Sequence, residues 1–247
     1  MFLLVVLLIG GCSDDAPAPR GEGTASPSAT NTSAEPSASP SVPCAGAIAD
    51  GERLEGFAEG DVDGDGRVDE VFLVRSESAE ADCRNVLVVQ GEGATYAAST
   101  DDPEMPSALP QPRINRLAHV DDDPGAEVIV DLQAGASTQF VGLFKVLDGR
   151  LERLRFQADG GLGDLFPYGG SVGHIEASNC SDDEGSHVVI AVATPRGPRY
   201  LVERTFYRIE GAALVETRRD EERLPVEALT QEHDYVTSPF GSCVVNP

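Results

Sequence analysis

The stretch GDVDGDGRVDEVFLV, Gly60–Val74, decides the fold because an acidic turn runs directly into an apolar strand. Aspartates stand at alternate positions, Asp61, Asp63 and Asp65, and Asp69 follows before the apolar run. Two glycines between them let the backbone bend tightly enough to bring the four side chains together. Carboxylates a few ångström apart repel one another unless a cation lies among them. The stretch therefore predicts a site for a hard cation, Ca²⁺ before zinc or copper, at a turn that leads into a β-strand.

The candidate ligands of this first acidic loop, Asp61–Asp69, stand at positions 1, 3, 5, 7 and 9. They are the side chains of Asp61, Asp63, Asp65 and Asp69 and the backbone carbonyl of Arg67. An EF-hand would place a bidentate glutamate at position 12, where this chain has Phe72 inside the apolar run. The loop is therefore of a shorter type that feeds a strand. The alternative is an acidic turn that binds no metal.

Past Pro43 the chain consists of short runs rich in β-branched and aromatic residues, separated by Gly, Pro and Asp turns. The strands predicted from these runs include 67–75, 84–90, 126–132, 138–146, 186–193 and 199–209. Two hairpins are expected, and their turns fall at Asp148-Gly149 and Glu210-Gly211. Helix signals are few, and the best candidate is Leu224–His233. The sequence predicts an all-β domain.

Two further acidic loops follow the first at intervals near 60 residues, which indicates repeated units. The second acidic loop, His119–Glu127, carries at the same four positions His119, Asp121, Asp123 and Glu127. Histidine is a poor ligand for a hard cation, and Pro124 replaces a glycine, so we expect a retained turn with weak or no metal binding. The third acidic loop, Asn179–His187, has lost the alternate spacing, and its acidic residues are expected to form solvated surface.

The pattern DxDGDGxxD, feeding an apolar strand and recurring near every 60 residues, resembles the FG-GAP or VCBS-type repeat of integrin-like β-propellers. The resemblance implies calcium binding in such loops and a propeller-like fold for residues 44–247. Three units are fewer than the four or more blades of a closed propeller. A partial or open propeller, a propeller completed by self-association and a β-sandwich therefore all stay open. The segment Gly135–Leu151 also resembles segments of bacterial surface lipoproteins that carry these repeats.

The first 43 residues are unsuited to a folded core. Residues 1–12, MFLLVVLLIGGC, are too short an apolar run to span a bilayer as a folded helix, and they are typical of a signal peptide. The end of this run, Ile9–Cys12, resembles the lipobox of bacterial lipoproteins, which implies that Cys12 carries a lipid anchor. The alternative is a buried N-terminal strand with a core cysteine. Residues 13–43 are rich in Ser, Ala and Pro, and this composition predicts a disordered tether.

The remaining cysteines are even in number and include no CxxC pair, which favours two disulfides in an oxidising compartment over a metal site. They are Cys44, Cys83, Cys180 and Cys243. Three pairings are possible. The pairing of Cys44 with Cys83 and of Cys180 with Cys243 is favoured because each bridge would then close one end of the folded region.

Charge and motifs narrow the function classes. The net charge of −24, from 42 acidic and 18 basic residues, excludes a nucleic-acid partner on electrostatic grounds. The segment GGSVG, Gly169–Gly173, matches the GxSxG nucleophile elbow and is followed by His174, but an elbow needs a helix after Ser171, and no helix pattern follows. An enzyme is therefore not expected.

The sequence predicts an exported protein, lipid-anchored through Cys12 at the outer face of the bacterial cell membrane. Its calcium-stabilised β-repeat domain would serve a binding or structural role, with a surface protein or a glycan as ligand. One alternative is a substrate-binding or sensory lipoprotein. The other is an envelope hydrolase that uses Ser171.

Overall fold

The computed structural model describes residues 42–101, 111–157, 163–171, 173–229 and 237–243. The predicted signal peptide and lipobox at residues 1–12, Cys12 included, lie outside the described residues, as do residues 13–41 of the predicted tether. Among the described residues, no helix has the length and apolar character needed to cross a membrane. The described part of the chain is all-β, with short helical turns near its ends and in one connection.

The strands of the described residues are numbered in chain order. They are β1 Glu52–Gly60, β2 Asp69–Arg75, β3 Asn85–Gln90, β4 Thr95–Ser99, β5 Arg113–Ala118, β6 Glu127–Ala134, β7 Thr138–Leu147, β8 Arg150–Arg153, β9 Arg155–Phe156, β10 Phe166–Ser171, β11 His174–Cys180, β12 Val188–Arg196, β13 Arg199–Glu210 and β14 Ala213–Pro225. The helix α1 spans Ala45–Asp50, and 3₁₀ turns span Ala81–Cys83 and Val226–Ala228.

These strands form two sheets, and neither closes into a barrel within the described residues. The first sheet has the order β1-β2-β3-β4. The second has the order β5-β6-β7-β10-β11-β12-β13-β14-β9, and β8 also pairs with β7. All pairs are antiparallel except the short parallel pair of β14 and β9. A four-stranded antiparallel unit therefore recurs as β1–β4, β5–β8 and β11–β14, each with an acidic loop between its first and second strands.

The middle unit, β5–β8, is buried on both faces. Successive residues of a strand point to opposite faces, and on one face Val128 and Phe144 pack with the first sheet. On the other face Ile129 and Leu143 pack with residues of β10 and β12–β14. A strand buried on both faces needs a continuous apolar run, which explains why the sequence of β6 does not alternate.

The outer faces of the two end units are covered by the chain ends. On the first sheet, Ala47 of α1 packs in a cluster with Phe72 and Val74. On the last unit, Leu229 packs with Ala191 and other residues of the sheet. End units of repeat proteins need such caps because no neighbouring repeat covers them.

Both predicted disulfides are present. Cys44 and Cys83 are joined beside α1, and Cys180 of β11 is joined to Cys243 of the C-terminal segment 237–243. The predicted pairing is therefore confirmed, and each bridge holds one end of the described chain against the domain.

The hairpin predictions are confirmed. Asp148 and Gly149 form the turn between β7 and β8 with φ of 49° and 74°. Gly211, with φ of 59°, begins the turn between β13 and β14. Positive φ at these positions suits the tight turns of hairpins.

The helix predicted at Leu224–His233 is wrong for residues 224–228, whereas Leu229 is helical. Leu224 pairs with Tyr200 as part of β14, and a single 3₁₀ turn follows. Residues 230–236, His233 among them, lie outside the described residues. Cross-strand pairing in the long β13–β14 hairpin overrides the weak local preference for a helix.

Candidate metal centre

The first acidic loop connects β1 to β2 and brings three of the predicted ligands together. One carboxylate oxygen each from Asp61, Asp63 and Asp65 lies within 4.8 Å of the others. The turn is closed by Asp61, whose carboxylate accepts the N–H of Gly64 at 2.8 Å and that of Gly66 at 2.9 Å. Both glycines have positive φ, 77° and 83°, which other residues adopt at a cost. Residue spacing and glycine placement therefore produce the group of three carboxylates.

Further hydrogen bonds fix Asp63 and Asp65. Asp63 accepts the N–H of Asp65 at 3.1 Å, and Asp65 accepts the N–H of Arg67 at 2.8 Å. The hydroxyl of Tyr96 on β4 donates to Asp63 at 3.0 Å. Burial, aided by this hydrogen bond, raises the pKa of Tyr96 to about 12, so the hydroxyl keeps its proton. Arg67 pairs through its guanidinium with Glu92, and its carbonyl stays a predicted ligand.

Asp69 has a different position from the other three aspartates. Asp69 is 1% exposed, and its carboxylate accepts the N–H of Val62 at 2.9 Å and that of Asp63 at 3.2 Å. Burial is the largest cause that raises its pKa above the ordinary value. The structure thus uses Asp69 to anchor the backbone at the start of the loop and does not bring it into the group of three.

The second acidic loop, between β5 and β6, repeats this anchor. Glu127 is fully buried and accepts the N–H of Val120 at 2.8 Å, the same seven-residue separation as Asp69 and Val62. The turns of the two loops differ, because the second loop has Pro124 where the first loop has Gly66. The anchoring carboxylate is therefore common to both loops.

The first and second acidic loops pack directly against each other. The N–H of Ala126 donates to the carbonyl of Asp61 at 2.9 Å. A Cβ on Gly125 would lie 2.4 Å from the carbonyl oxygen of Val62, which is closer than real Cβ contacts come. Glycine is therefore required at this position, and the shape of one loop depends on the shape of the other.

A lysine lies among the carboxylates of the second loop. The ammonium of Lys145, on β7, pairs with Asp121, lies 2.5 Å from Asp123 and lies 3.4 Å from Oε1 of Glu127. Lys145 as a whole is 5% exposed. Sequence reasoning missed Lys145 and derived weak metal binding from His119 and Pro124 alone. The sequence signal that could have indicated Lys145 is that it is the single charge in the otherwise apolar run FVGLFKVL, 140–147.

Burial and neighbouring charges shift the pKa of two groups in the second loop, Glu127 and Lys145. Burial, aided by the charge of Asp121, raises the pKa of Glu127 to about 8. Burial alone would lower the pKa of Lys145, but its hydrogen bonds to Asp121 and Asp123 outweigh that effect and the pKa is raised. The ammonium is therefore charged at neutral pH, and Glu127 keeps its proton there.

This arrangement predicts a stability that falls as the pH rises from about 5 to about 8. The folded protein keeps a proton on Glu127 that the unfolded chain has released. The stability from this proton is present below the unfolded pKa and is lost as the pH rises through the folded pKa, a difference on the order of 3–5 kcal/mol. Thermal melting in chelator at pH 5 to 8.5 should show this slope in the wild type and a flatter one in Glu127→Gln.

The matched control for this pH profile is Glu184→Gln, which removes an exposed carboxylate from the third loop. We expect its profile to follow that of the wild type. Equal slopes in the wild type and in Glu127→Gln would show that Glu127 is not the group responsible.

The third acidic loop has the character expected of solvated surface. Asp182, Asp183 and Glu184 are all exposed. Asp183 pairs with Arg218 of β14, and the group of three found in the first loop does not form among these residues. The expectation for this loop is confirmed.

The GxSxG segment lies at the hairpin between β10 and β11. Ser171 ends β10 and pairs with His174, which begins β11, so a strand follows where an elbow needs a helix. The hydroxyl of Ser171 accepts the N–H of Gly173 at 3.2 Å. Nε2 of His174 lies 3.1 Å from the hydroxyl of Thr138. This geometry differs from that of a nucleophile elbow.

No known family, curated protein or solved structure matches this chain.

Proposed function

We propose that this chain is an exported lipoprotein whose β-repeat domain is stabilised by Ca²⁺ in the first acidic loop and serves a binding or structural role at the outer face of the cell membrane. The observation that carries the proposal is the group formed by Asp61, Asp63 and Asp65. Calcium would act on stability and would take no part in a reaction. The ligand of the domain would be a surface protein or a glycan.

The donor set fits a hard cation. The three carboxylates supply oxygen ligands alone, which Ca²⁺ prefers, and the hydrogen bonds of the turn hold them in place before an ion arrives. Asp61 and Asp63 are partly buried and Asp65 is exposed, so an ion can enter from solvent. Extracellular calcium modules have dissociation constants on the order of 10⁻⁴ to 10⁻³ M, which matches a site of this exposure.

The repeated units support an FG-GAP or VCBS-type relationship and an open, propeller-like arrangement. Each four-stranded unit carries its acidic loop between the first and second strands. The middle unit is buried on both faces, which gives three packed layers where a sandwich would have two. Within the described residues, caps that pack on both outer faces give less support to completion by self-association.

Export and anchoring are supported by chemistry of two kinds. Two disulfides suit an oxidising compartment outside the cytoplasm. The lipobox resemblance of Ile9–Cys12 supports lipidation of Cys12. Together they favour the outer face of the membrane as the location of the domain.

A small-molecule receptor has less support. A cleft of ≈ 260 Å³ lies beside Asn179, Ala191 and Phe206. Ligand pockets are roughly 300–1,000 Å³ and largely apolar. A wider depression of ≈ 750 Å³ is lined mainly by charged and polar residues such as Glu52, Arg75 and Arg113. Neither has the concave apolar shape that a sensory or substrate-binding lipoprotein would need.

Calcium titration of the purified protein tests the proposal. We expect one saturable site in calorimetry and a melting temperature that rises when chelator is replaced by calcium. At ten times the dissociation constant the gain in stability is about 1.4 kcal/mol. The variant Asp63→Asn, Asp65→Asn keeps the side-chain oxygens that accept backbone N–H groups and removes two charges. It should lose both the binding and the shift in melting temperature.

The control variant is Asp182→Asn, Glu184→Gln, which removes the same charge from the exposed third loop. It should bind calcium as the wild type does. If calcium neither binds nor raises the melting temperature of the wild type, the first loop is an acidic turn and the proposed role of calcium is wrong.

A further inference from the structure

We propose that Lys145 is a built-in cation of the second acidic loop, and that its ammonium fills a position where a divalent cation would otherwise be held by Asp121, Asp123 and Glu127. Truncating this one side chain would then turn the second loop into a calcium site. The proposal concerns the second loop alone and does not depend on calcium binding in the first.

The contacts of the ammonium carry the first step. Lys145 Nζ reaches all three carboxylates of the second loop, and Asp121 and Glu127 are almost completely buried, with side chains 4% and 0% exposed. Oxygen atoms of the kind that hard metals use therefore surround the ammonium, although Asp123 is 66% exposed and the three groups lie less close together than those of the first loop. The lysine supplies from within the chain the charge that a metal would bring from solvent.

Glu127 supplies a second and independent observation. Its Oε2 is used by the N–H of Val120, but its Oε1 is buried and makes no hydrogen bond. That oxygen lies 3.4 Å from Lys145 Nζ. Buried carboxylate oxygens are normally satisfied by hydrogen bonds or by ions. Oε1 of Glu127 is therefore a buried oxygen that lies near the position of the cation and accepts no hydrogen bond.

The strand registers show what the first loop has in place of the lysine. Asp69 and Glu127 are the anchoring carboxylates that begin β2 and β6. The next residue pairs along these strands are Glu70 with Gln90 and Val128 with Phe144. Gly91 follows the first pair and Lys145 follows the second, so these two residues occupy equivalent positions.

A side chain at Gly91 would face its anchoring carboxylate, as the side chain of Lys145 faces Glu127. A Cβ on Gly91 would lie 2.6 Å from Oδ1 of Asp69. The first loop thus has a residue without a side chain at the position where the second loop has an ammonium. The two loops share an anchoring carboxylate and differ in the residue beside it, which brings an ammonium only in the second loop.

The second loop also keeps part of the local geometry of the first. Asp121 accepts the N–H of Asp123 at 3.0 Å, and Asp63 accepts the N–H of Asp65 at 3.1 Å. The carboxylate at position 3 is therefore held alike in the two loops. His119 at position 1 supplies no carboxylate, so the carboxylate ligands of a site opened here would be Asp121, Asp123 and Glu127.

Two substitutions of Lys145 separate the effect of charge from the effect of space. Lys145→Ala removes the ammonium and vacates its position. Lys145→Met removes the ammonium and fills much of the same volume. Both leave the buried carboxylate of Asp121 without a counter-charge, so both should melt below the wild type in chelator. The measurements are calcium titration calorimetry and thermal melting with calcium or chelator.

We expect Lys145→Ala to bind one calcium ion more than the wild type and to recover melting temperature in calcium, and Lys145→Met to do neither. Adding Asp121→Asn and Asp123→Asn to Lys145→Ala should abolish the extra site. The extra site counts for the proposal whether the wild type binds one ion or none, so a failure of calcium binding in the first loop is recognised separately.

Two results would overturn the proposal. One is an unchanged calcium stoichiometry in a Lys145→Ala variant that is folded by circular dichroism. The other is an extra site in Lys145→Met as well, because the ammonium would then not occupy the cation position.

Discussion

Replacing Cys180 and Cys243 by serine is expected to lower the free energy of unfolding by about 4 kcal/mol. The bridge spans a sequence separation of 63 residues, so its loss releases considerable chain entropy in the unfolded state. Denaturant unfolding of the oxidised wild type and of the variant measures the difference.

The same bridge holds the C-terminal segment in the core. Phe240 is fully buried, its ring centroid lies 5.4 Å from that of Phe166, and its N–H donates to the carbonyl of Ser178 at 2.8 Å. Without the bridge this packing must hold the segment alone. Limited proteolysis should therefore release residues 237–243 more readily from the variant.

The matched control is Cys44→Ser, Cys83→Ser, which removes the bridge of 39-residue separation at the other end of the domain. Its loss of stability should be similar, because chain entropy depends only weakly on loop length. Its C-terminal segment should stay as protected as in the wild type. A loss below about 1 kcal/mol for the Cys180 and Cys243 variant would contradict the prediction, since the chain-entropy model requires several times more.

Phe144→Ala is expected to cost about 3–5 kcal/mol of stability. Phe144 is fully buried in the cluster that joins the first sheet to the middle unit, with Leu73, Leu87 and Val128. Truncation loses the transfer free energy of the ring and leaves a cavity between two sheets that have little freedom to collapse. Denaturant unfolding measures the cost.

Phe57→Ala is the control of the same chemistry, because Phe57 on β1 is 61% exposed. Its effect should stay within about 0.5 kcal/mol. Comparable losses in the two variants would mean that the first sheet and the middle unit do not share the core described above.

The local pattern of the first loop predicted most of its structure. Alternate spacing and two glycines bring Asp61, Asp63 and Asp65 together through hydrogen bonds within a few residues. Pattern reasoning could not separate Asp69 from them. Whether an acidic residue at the start of a strand points into the loop or anchors its backbone depends on burial by the neighbouring strands.

Several strands had weak signals in the sequence. The strand β1 contains two glycines and several charges, and β10 contains Pro167 and two glycines, so neither resembles an apolar run. Both form because neighbouring strands pair with them. Pairing with neighbouring strands therefore stabilises these two strands, although their residues have a low preference for strands.

The sequence by itself determined the features that depend on residues close together in the chain or on the even number of cysteines. These are the all-β class, the hairpin turns at Asp148-Gly149 and Glu210-Gly211, the carboxylate group of the first loop and the even set of cysteines that forms two bridges. Only the tertiary structure decided that the first two acidic loops touch and that Lys145 lies among the carboxylates of the second. The reason is that the pairing of β6 with β7 brings Lys145 beside Glu127, although the two residues are far apart in the sequence. Both residues are buried there, so a single ammonium strongly affects the neighbouring carboxylates.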